Sequence, residues 1–211
     1  MSEYQLYCFA ESGPAYKVAF MLSACKLDWQ PIAVDFLNGE TRTSEYRTQV
    51  NEMGEVPVLV HRGRKLVQSA AILSYLAKET GKFGGRNPQE DYDILSWMLF
   101  DNHKFSSNLG TLRFLVVFAK TGETPVTEFL RARVMAALAI VEKHLDTRKF
   151  MIGNEPTIAD ISMCGYLFHP ESCGIDFADF HNLERWKADM AQIPGWKMPY
   201  DMIARAAPKR S

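Results

Sequence analysis

Hydrophobic spacing changes period several times along the chain. Residues 4–9 alternate and are rich in aromatic side chains, the period-two pattern of a half-buried strand. Ala10-Glu11-Ser12-Gly13-Pro14 reads as a turn, and Pro14 suits the first turn of the helix that follows. That helix is predicted over 15–26, with Val18, Met21, Leu22 and Cys25 on one face. A second strand is predicted over 29–34, a polar loop over 35–43 and a short helix over 44–49. Next comes Glu55-Val56-Pro57-Val58-Leu59-Val60, an apolar strand opened by proline. The turn Arg62-Gly63-Arg64-Lys65 then leads to a short return strand, Leu66-Val67. Beyond Gln68, the positions Ile72, Leu73, Leu76 and Ala77 have helical spacing. Ser69 stands as the expected N-cap and Gly81 as the stop. The order β-α-β-α-β-β-α predicts a mixed sheet with helices on both sides, the thioredoxin-like pattern.

After Thr80-Gly81-Lys82-Phe83-Gly84-Gly85-Arg86-Asn87-Pro88 the period stays helical to the end. Ile94, Leu95, Met98, Leu99 and Phe105 lie on a helix over 91–109, and 111–119 continues the apolar pattern. Thr124-Pro125 opens a helix striped by Leu130, Val134, Leu138, Val141 and Leu145. Thr157-Ile158-Ala159-Asp160 has the form of a capping box, with Asp160 in the acidic position. A last helix carries Leu183, Trp186, Met190 and Ile193 and stops at Pro194-Gly195. The expected division is an α+β domain over 1–81 and an all-α domain over 89–211.

The chain has 211 residues, a formal net charge of −1 and 47% apolar residues. This is enough for one or two domains, and it gives no basic field to attract nucleic acid. No apolar run reaches membrane-spanning length, and Met1-Ser2-Glu3-Tyr4-Gln5 lacks a basic and apolar leader, so the expected location is cytoplasmic. Cys8, Cys25, Cys164 and Cys173 form no C-x-x-C pair, and the histidines are scattered, so neither a dithiol site nor a metal site is expected.

Proline lacks an amide hydrogen and pushes the preceding residue into extended geometry. Val56 therefore falls outside the sheet ladder, with an N–H and a C=O available to an extended peptide. A cis Val56-Pro57 bond would sharpen the bend. Pro57 is equally compatible with the plain start of an edge strand. Ser69 with the amides of a helix start forms an anion site. One segment thus offers a strand-like clamp followed by a carboxylate pocket, which suits a small acidic peptide.

The run "NEMGEVPVLV" at 51–60, followed by "LVQSAAILSYLA" at 66–77, resembles the glutathione-binding core of cytosolic glutathione S-transferases. The common bacterial form of that core reads N-P-x-G-x-V-P-x-L and E-S-x-A-I-x-x-Y-L. "SGPAYKVAFML" at 12–22 and "GETRTSEY" at 39–46 resemble the bacterial serine-type, theta-like members, and "FMIGNEPTIADIS" at 150–162 resembles their helical-domain capping motif. The resemblance implies a glutathione transferase fold and activity. Glutathione is then the co-substrate, with no other cofactor, and a small apolar electrophile is the second substrate. It also implies a homodimer and a role in detoxification. The alternatives on the same fold are a glutathione-dependent disulfide reductase and a non-catalytic glutathione- or protein-binding module.

Residue by residue, the resemblance has Val56, beside Pro57, hold the cysteinyl backbone of glutathione. Gln68 and Ser69 hold its γ-glutamyl end, and Arg42 and Glu55 lie beside the peptide. Glu55 stands where many relatives have Lys or Gln, so it is expected to be neutral or repulsive, and Gln68 replaces an acid that would grip the ligand's ammonium. Ser12 matches the serine that stabilises the thiolate; from its position alone it is also a turn and N-cap residue. A free thiol has a pKa near ~8.5, and each unit of depression needs about 1.4 kcal/mol of preference for the anion, which a hydroxyl donor at a helix N-terminus supplies. Tyr7 falls one place from the position of the tyrosine-type enzymes, and Cys8, inside a strand, is expected to be inert. Tyr16, Phe105, Leu109, Leu112 and Phe114 are candidates for the acceptor pocket or for core packing. Asp101 is either a solvated helix residue or an acid that reaches the partner subunit's glutathione.

Overall fold

The computed structural model describes residues 2–205. They form two compact units, one of residues 2–82 with 193–205 and one of residues 83–192. This departs from the expected division in two ways. The glycine-rich stretch belongs to the second unit, where the Ile158 amide donates to the Phe83 carbonyl at 2.8 Å and the Gly85 amide to Asp91 at 3.2 Å. Residues 193–205 belong to the first.

In the first unit, β1 (Tyr4–Cys8) runs parallel to β2 (Trp29–Ala33) and antiparallel to β3 (Val58–His61), which pairs antiparallel with β4 (Arg64–Val67). The sheet order is β2-β1-β3-β4. Pro31 sits within β2, tolerable because β2 is an edge strand and a missing N–H can face away from the ladder. Tyr4, Leu6 and Cys8 alternate inward, as the period-two pattern predicts. The β3–β4 turn is tighter than expected: Arg62 (φ 49°) and Gly63 (φ 74°) form the two-residue connection whose twist suits a hairpin, and β4 begins at Arg64.

Helices α1 (Gly13–Ala24) and α3 (Ser69–Thr80) pack on each other, and α2 (Ser44–Gln49) follows a single 3-10 turn, Glu40–Arg42. The apolar spacing of α1 predicts one inward face, yet every residue from Ala15 to Leu22 is buried. Part of the cover is the returning segment 193–205. The Tyr16 hydroxyl donates to the Lys197 carbonyl at 2.9 Å, and a Cβ on Gly195 would lie 2.6 Å from the Ser23 backbone, so only glycine allows this approach.

In the second unit, α4 (Pro88–Phe100) and α5 (Ser107–Arg113) are joined by a π-helical turn, Asp101–Ser106, and a second such turn spans Phe114–Phe118. Helix α6 (Pro125–Leu145) is capped by Thr124, and its predicted stripe from Leu130 to Leu145 is buried. Then come α7 (Ile158–Met163) and α8 (His181–Ala191), with α6 packed between α5 and α8. Thr157 and Asp160 close the expected capping box of α7. Asp160 does more: fully buried, it accepts from the Thr157 amide (2.8 Å) and hydroxyl (3.1 Å), the Met151 amide (2.7 Å) and the Trp186 indole (2.9 Å). One carboxylate thus ties three segments of the unit together.

Candidate functional site

Three pieces of the first unit converge at one end of its sheet. Tyr7 of β1 lies opposite Val58 of β3, and Val58 lies opposite Val67 of β4. The exit of β1 towards Ser12, the entry to β3 through Val56-Pro57 and the exit of β4 into Gln68-Ser69 therefore share that end.

The Val56-Pro57 peptide is cis, and Val56 precedes the first ladder residue. Among the described residues neither its N–H nor its C=O has a hydrogen-bond partner. Its neighbour is held firmly. The Glu55 carbonyl accepts from the Tyr46 hydroxyl and from the Asn51 side-chain amide, each at 3.0 Å, and Asn51 also accepts from the Met53 amide at 3.1 Å. Burial pushes the Tyr46 phenol up to about 12, so it remains a donor through the neutral range. Gly54 (φ 69°) completes the loop. A Cβ there would meet the Thr41 carbonyl at 2.8 Å, which presses the Glu40–Arg42 turn against the residue before Glu55. Tyr46 and Asn51 are positioning residues that sequence reasoning did not assign. Asn51 in "NEMGEVP" carried a signal, because asparagine often bonds backbone two residues on; Tyr46 carried none beyond its type.

At the exit of β4, Ser69 is the first helical residue of α3 rather than its N-cap. Gln68 takes the flanking place with φ 65° and ψ 110°, a backbone that side chains other than glycine rarely adopt, and its side chain makes no capping bond. The Gln68 side-chain amide instead donates to Glu55 Oε2 at 2.8 Å and approaches Met53 Sδ at 3.4 Å. The two departures from the family pattern are therefore partners, and Glu55 is placed by Gln68 at the head of α3. The Arg42 side chain is exposed, one residue from the Thr41 carbonyl that abuts Gly54.

Ser12 is buried at the N-cap of α1. Its Oγ accepts from the Ala15 amide at 3.1 Å, and its own amide donates to the Phe9 carbonyl at 3.1 Å. Capping uses an oxygen lone pair, so the hydroxyl proton stays available to an acceptor in front of the helix. The turn-and-cap reading and the thiol reading of Ser12 are thus compatible in one geometry. Cys8 is no rival: burial pushes its thiol up to about 12.

Tyr16 is fully buried with its hydroxyl on Lys197, and Phe105, Leu109 and Leu112 are buried packing residues; Phe114 is exposed. Asp101 is neither solvated nor outward-reaching. It is fully buried, and its two oxygens accept from Ser106 (2.6 Å) and Ser162 (2.5 Å), a contact that follows from the π-helical turn bringing residue 106 back over residue 101. Among the described residues no group of three or more His, Cys, Asp or Glu side chains is placed to hold a metal ion.

Comparison with known proteins agrees with this geometry. Residues 2–78 match the glutathione S-transferase N-terminal domain family, and residues 105–194 match the C-terminal domain family. The maleylacetoacetate isomerase of Rhizobium meliloti (strain 1021) is 30% identical over 201 residues, covering 92% of this chain and 87% of the relative. A crystal structure described as a possible glutathione S-transferase from Rhodopseudomonas palustris is 33% identical, with a TM-score of 0.87 over 94% of this chain and 98% of that one. A Pseudomonas putida glutathione transferase, solved with one glutathione disulfide bound per subunit, shares the fold at 23% identity, with a TM-score of 0.83 over 92% of this chain and 89% of that one. With both halves of its sequence matched and a four-stranded thioredoxin-like sheet joined to a helical unit, the chain belongs to the glutathione S-transferase family.

Proposed function

We propose that this protein binds glutathione, stabilises its thiolate and adds it to small apolar electrophiles, a detoxifying conjugation. The observation that carries the reading is Ser12, whose oxygen caps α1 while its proton remains to be donated. A glutathione sulfur in front of α1 receives that hydrogen bond together with the positive end of the helix. The thiol proton leaves to solvent. The sulfur lone pair then forms the new C–S bond, and a leaving group departs with its electron pair or a conjugated double bond takes the charge. Val56 pairs with the peptide backbone, and Ser69 with the first amides of α3 receives the γ-glutamyl carboxylate. Ser69→Ala is expected to weaken glutathione binding at least several-fold, because a hydrogen bond to a charged group contributes about 1.5–3 kcal/mol. Calorimetry checks this, and undiminished affinity would move the carboxylate pocket elsewhere.

The 30% identical relative named maleylacetoacetate isomerase favours a second reading. Here the thiolate adds to an activated cis double bond and is expelled after rotation, so glutathione is regenerated. Assays with an aryl halide, a disulfide and an unsaturated diacid, each followed for net loss of glutathione, separate conjugation, disulfide reduction and isomerisation. Turnover with none of them favours a binding module.

The same reading has the protein work in the cytoplasm, where its four free cysteines would stay reduced, and as a homodimer. Tyr92, Leu95 and Leu99 make an exposed stripe on α4, and Val126, Phe129 and Ile140 make one on α6. A second copy of this chain would cover both apolar stripes with matching apolar surface. Light scattering at micromolar concentration is expected to give twice the chain mass, and Leu99→Glu with Phe129→Glu to give one chain mass. A wild-type monomer would sink the dimer.

A further inference from the structure

The segment that returns from the helical unit does more than cover α1. Its last described residue, Arg205, lies beside the turn that carries Ser12: Arg205 Nε is 3.3 Å from Glu11 Oε1, and Glu11 immediately precedes Ser12. We infer that Arg205 is a positioning residue for the thiolate. It holds and neutralises the Glu11 carboxylate, so that the Ser12 turn sets no net negative charge beside the sulfur. The inference rests on the Ser12 reading above and adds to it a residue from the returning segment.

A carboxylate next to a site that must hold an anion works against it, because a like charge disfavours the thiolate. One residue along the chain is about 3.8 Å, so the Glu11 charge acts on the Ser12 turn inside the ~8 Å over which salt screens. The Glu11 side chain is only 16% exposed, which limits screening by water. Arg205 supplies the opposite charge, and it is itself placed. Its guanidinium lies over the Tyr200 ring at 3.7 Å, and Tyr200 belongs to a short helix, α9 (Pro199–Met202), packed on α1. The segment is fixed to α1 at two further points: the Tyr16 hydroxyl donates to the Lys197 carbonyl at 2.9 Å, and the Ser23 hydroxyl to Met202 Sδ at 3.3 Å. The Tyr16 amide in turn donates to the Ser12 carbonyl at 3.0 Å. The cation therefore reaches Glu11 from a scaffold that α1 holds in place. Lys17, Lys197 and Asp201 are the other charged side chains of α1 and of residues 193–205, and all three are kept in the variants below.

The test is thiolate absorbance of the glutathione complex across pH, with turnover measured alongside. Arg205→Gln is expected to raise the titration midpoint by about half a pH unit, the scale of a charge pair partly screened by solvent. Turnover near neutrality should then fall about threefold and recover at higher pH. Arg205→Lys keeps the charge and should titrate as wild type does. Glu11→Gln should leave the midpoint unchanged or lower it. The decisive variant is Arg205→Gln combined with Glu11→Gln: with no carboxylate left to neutralise, its midpoint should return to the wild-type value or below. Raised salt should shrink the difference between Arg205→Gln and wild type. If Arg205→Gln titrates as wild type does, or if the double variant stays at the Arg205→Gln midpoint, the assignment of Arg205 is overturned while the Ser12 reading stands. If wild type with bound glutathione shows no thiolate at any pH below that of the free thiol, the Ser12 reading falls and this inference with it.

Discussion

Asp160→Ala is expected to destabilise the helical unit by about 4 kcal/mol or more, the largest effect of any single replacement considered for this protein. The reason is the number of donors one carboxylate serves. The Thr157 amide and hydroxyl, the Met151 amide and the Trp186 indole all point at it, and the residue is fully buried. Alanine would leave these groups facing each other with no acceptor and no space for water to serve them all. An orphaned buried donor costs about 1–3 kcal/mol, so even partial relaxation leaves a large deficit. Burial pushes the Asp160 carboxyl above the ordinary aspartate range, and the four donors oppose that shift. Asp160→Asn is the informative companion. It keeps an acceptor for part of the network but turns an amino group towards one of the donors, so its loss should fall between wild type and alanine. Denaturant unfolding followed by Trp fluorescence measures both, and a loss below about 1 kcal/mol for alanine would show that the network is not what holds the unit.

Ser12→Ala is expected to lower turnover about tenfold or more at neutral pH while glutathione affinity stays nearly intact. A hydrogen bond to an anion contributes about 1.5–3 kcal/mol, which is one to two pKa units on the bound thiol. Removing it raises that pKa, so the thiolate fraction falls near neutrality and recovers at higher pH. The rate profile should shift to the alkaline side, not merely drop. Ser12 also caps α1 by accepting from Ala15, so alanine costs about 1 kcal/mol of stability as well. Ser12→Asp separates the two roles. Aspartate caps as well as serine does, yet it sets a negative charge beside the sulfur, so the helix should hold while the thiolate disappears. The readout is thiolate absorbance of the glutathione complex across pH. An unchanged titration in Ser12→Ala would reassign the role to the backbone amides at the start of α1.

Local pattern and turn chemistry made most of the fold legible. Alternation in 4–9, the stripe from Leu130 to Leu145, the glycine at 81 and the box at Thr157–Asp160 each report a structure within a few residues of themselves. The N-cap place of Ser12 and the place of Val56 ahead of β3 were legible for the same reason, whereas Ser69 falls one residue inside α3. What escaped depends on residues distant in sequence. Read one position at a time, Glu55 and Gln68 are two separate departures from the family pattern, and only the structure shows that they meet in one hydrogen bond. Tyr46 and Asn51 hold the Glu55 carbonyl by bonds that no periodicity encodes. Asp101 reads as a solvated helix residue or, by resemblance, as an acid reaching a partner subunit, and a π-helical turn carries it inward. The burial of α1 from Ala15 to Leu22, Tyr16 included, involves the returning segment 193–205.

That far segment gives the molecule a particular order of assembly. Tyr16 and Lys197, 181 positions apart, meet within one unit, so the helical unit is in effect an insertion into the strand-bearing one. A ribosome makes residues 2–82 before the helical unit, yet that part lacks the cover over Ser23 until Gly195 has been made. The entropy of so long a closure grows only logarithmically with the length between the ends. Synthesis therefore runs opposite to completion: the portion translated first is the one finished last, and premature termination anywhere before Gly195 leaves its α1 uncapped along that side.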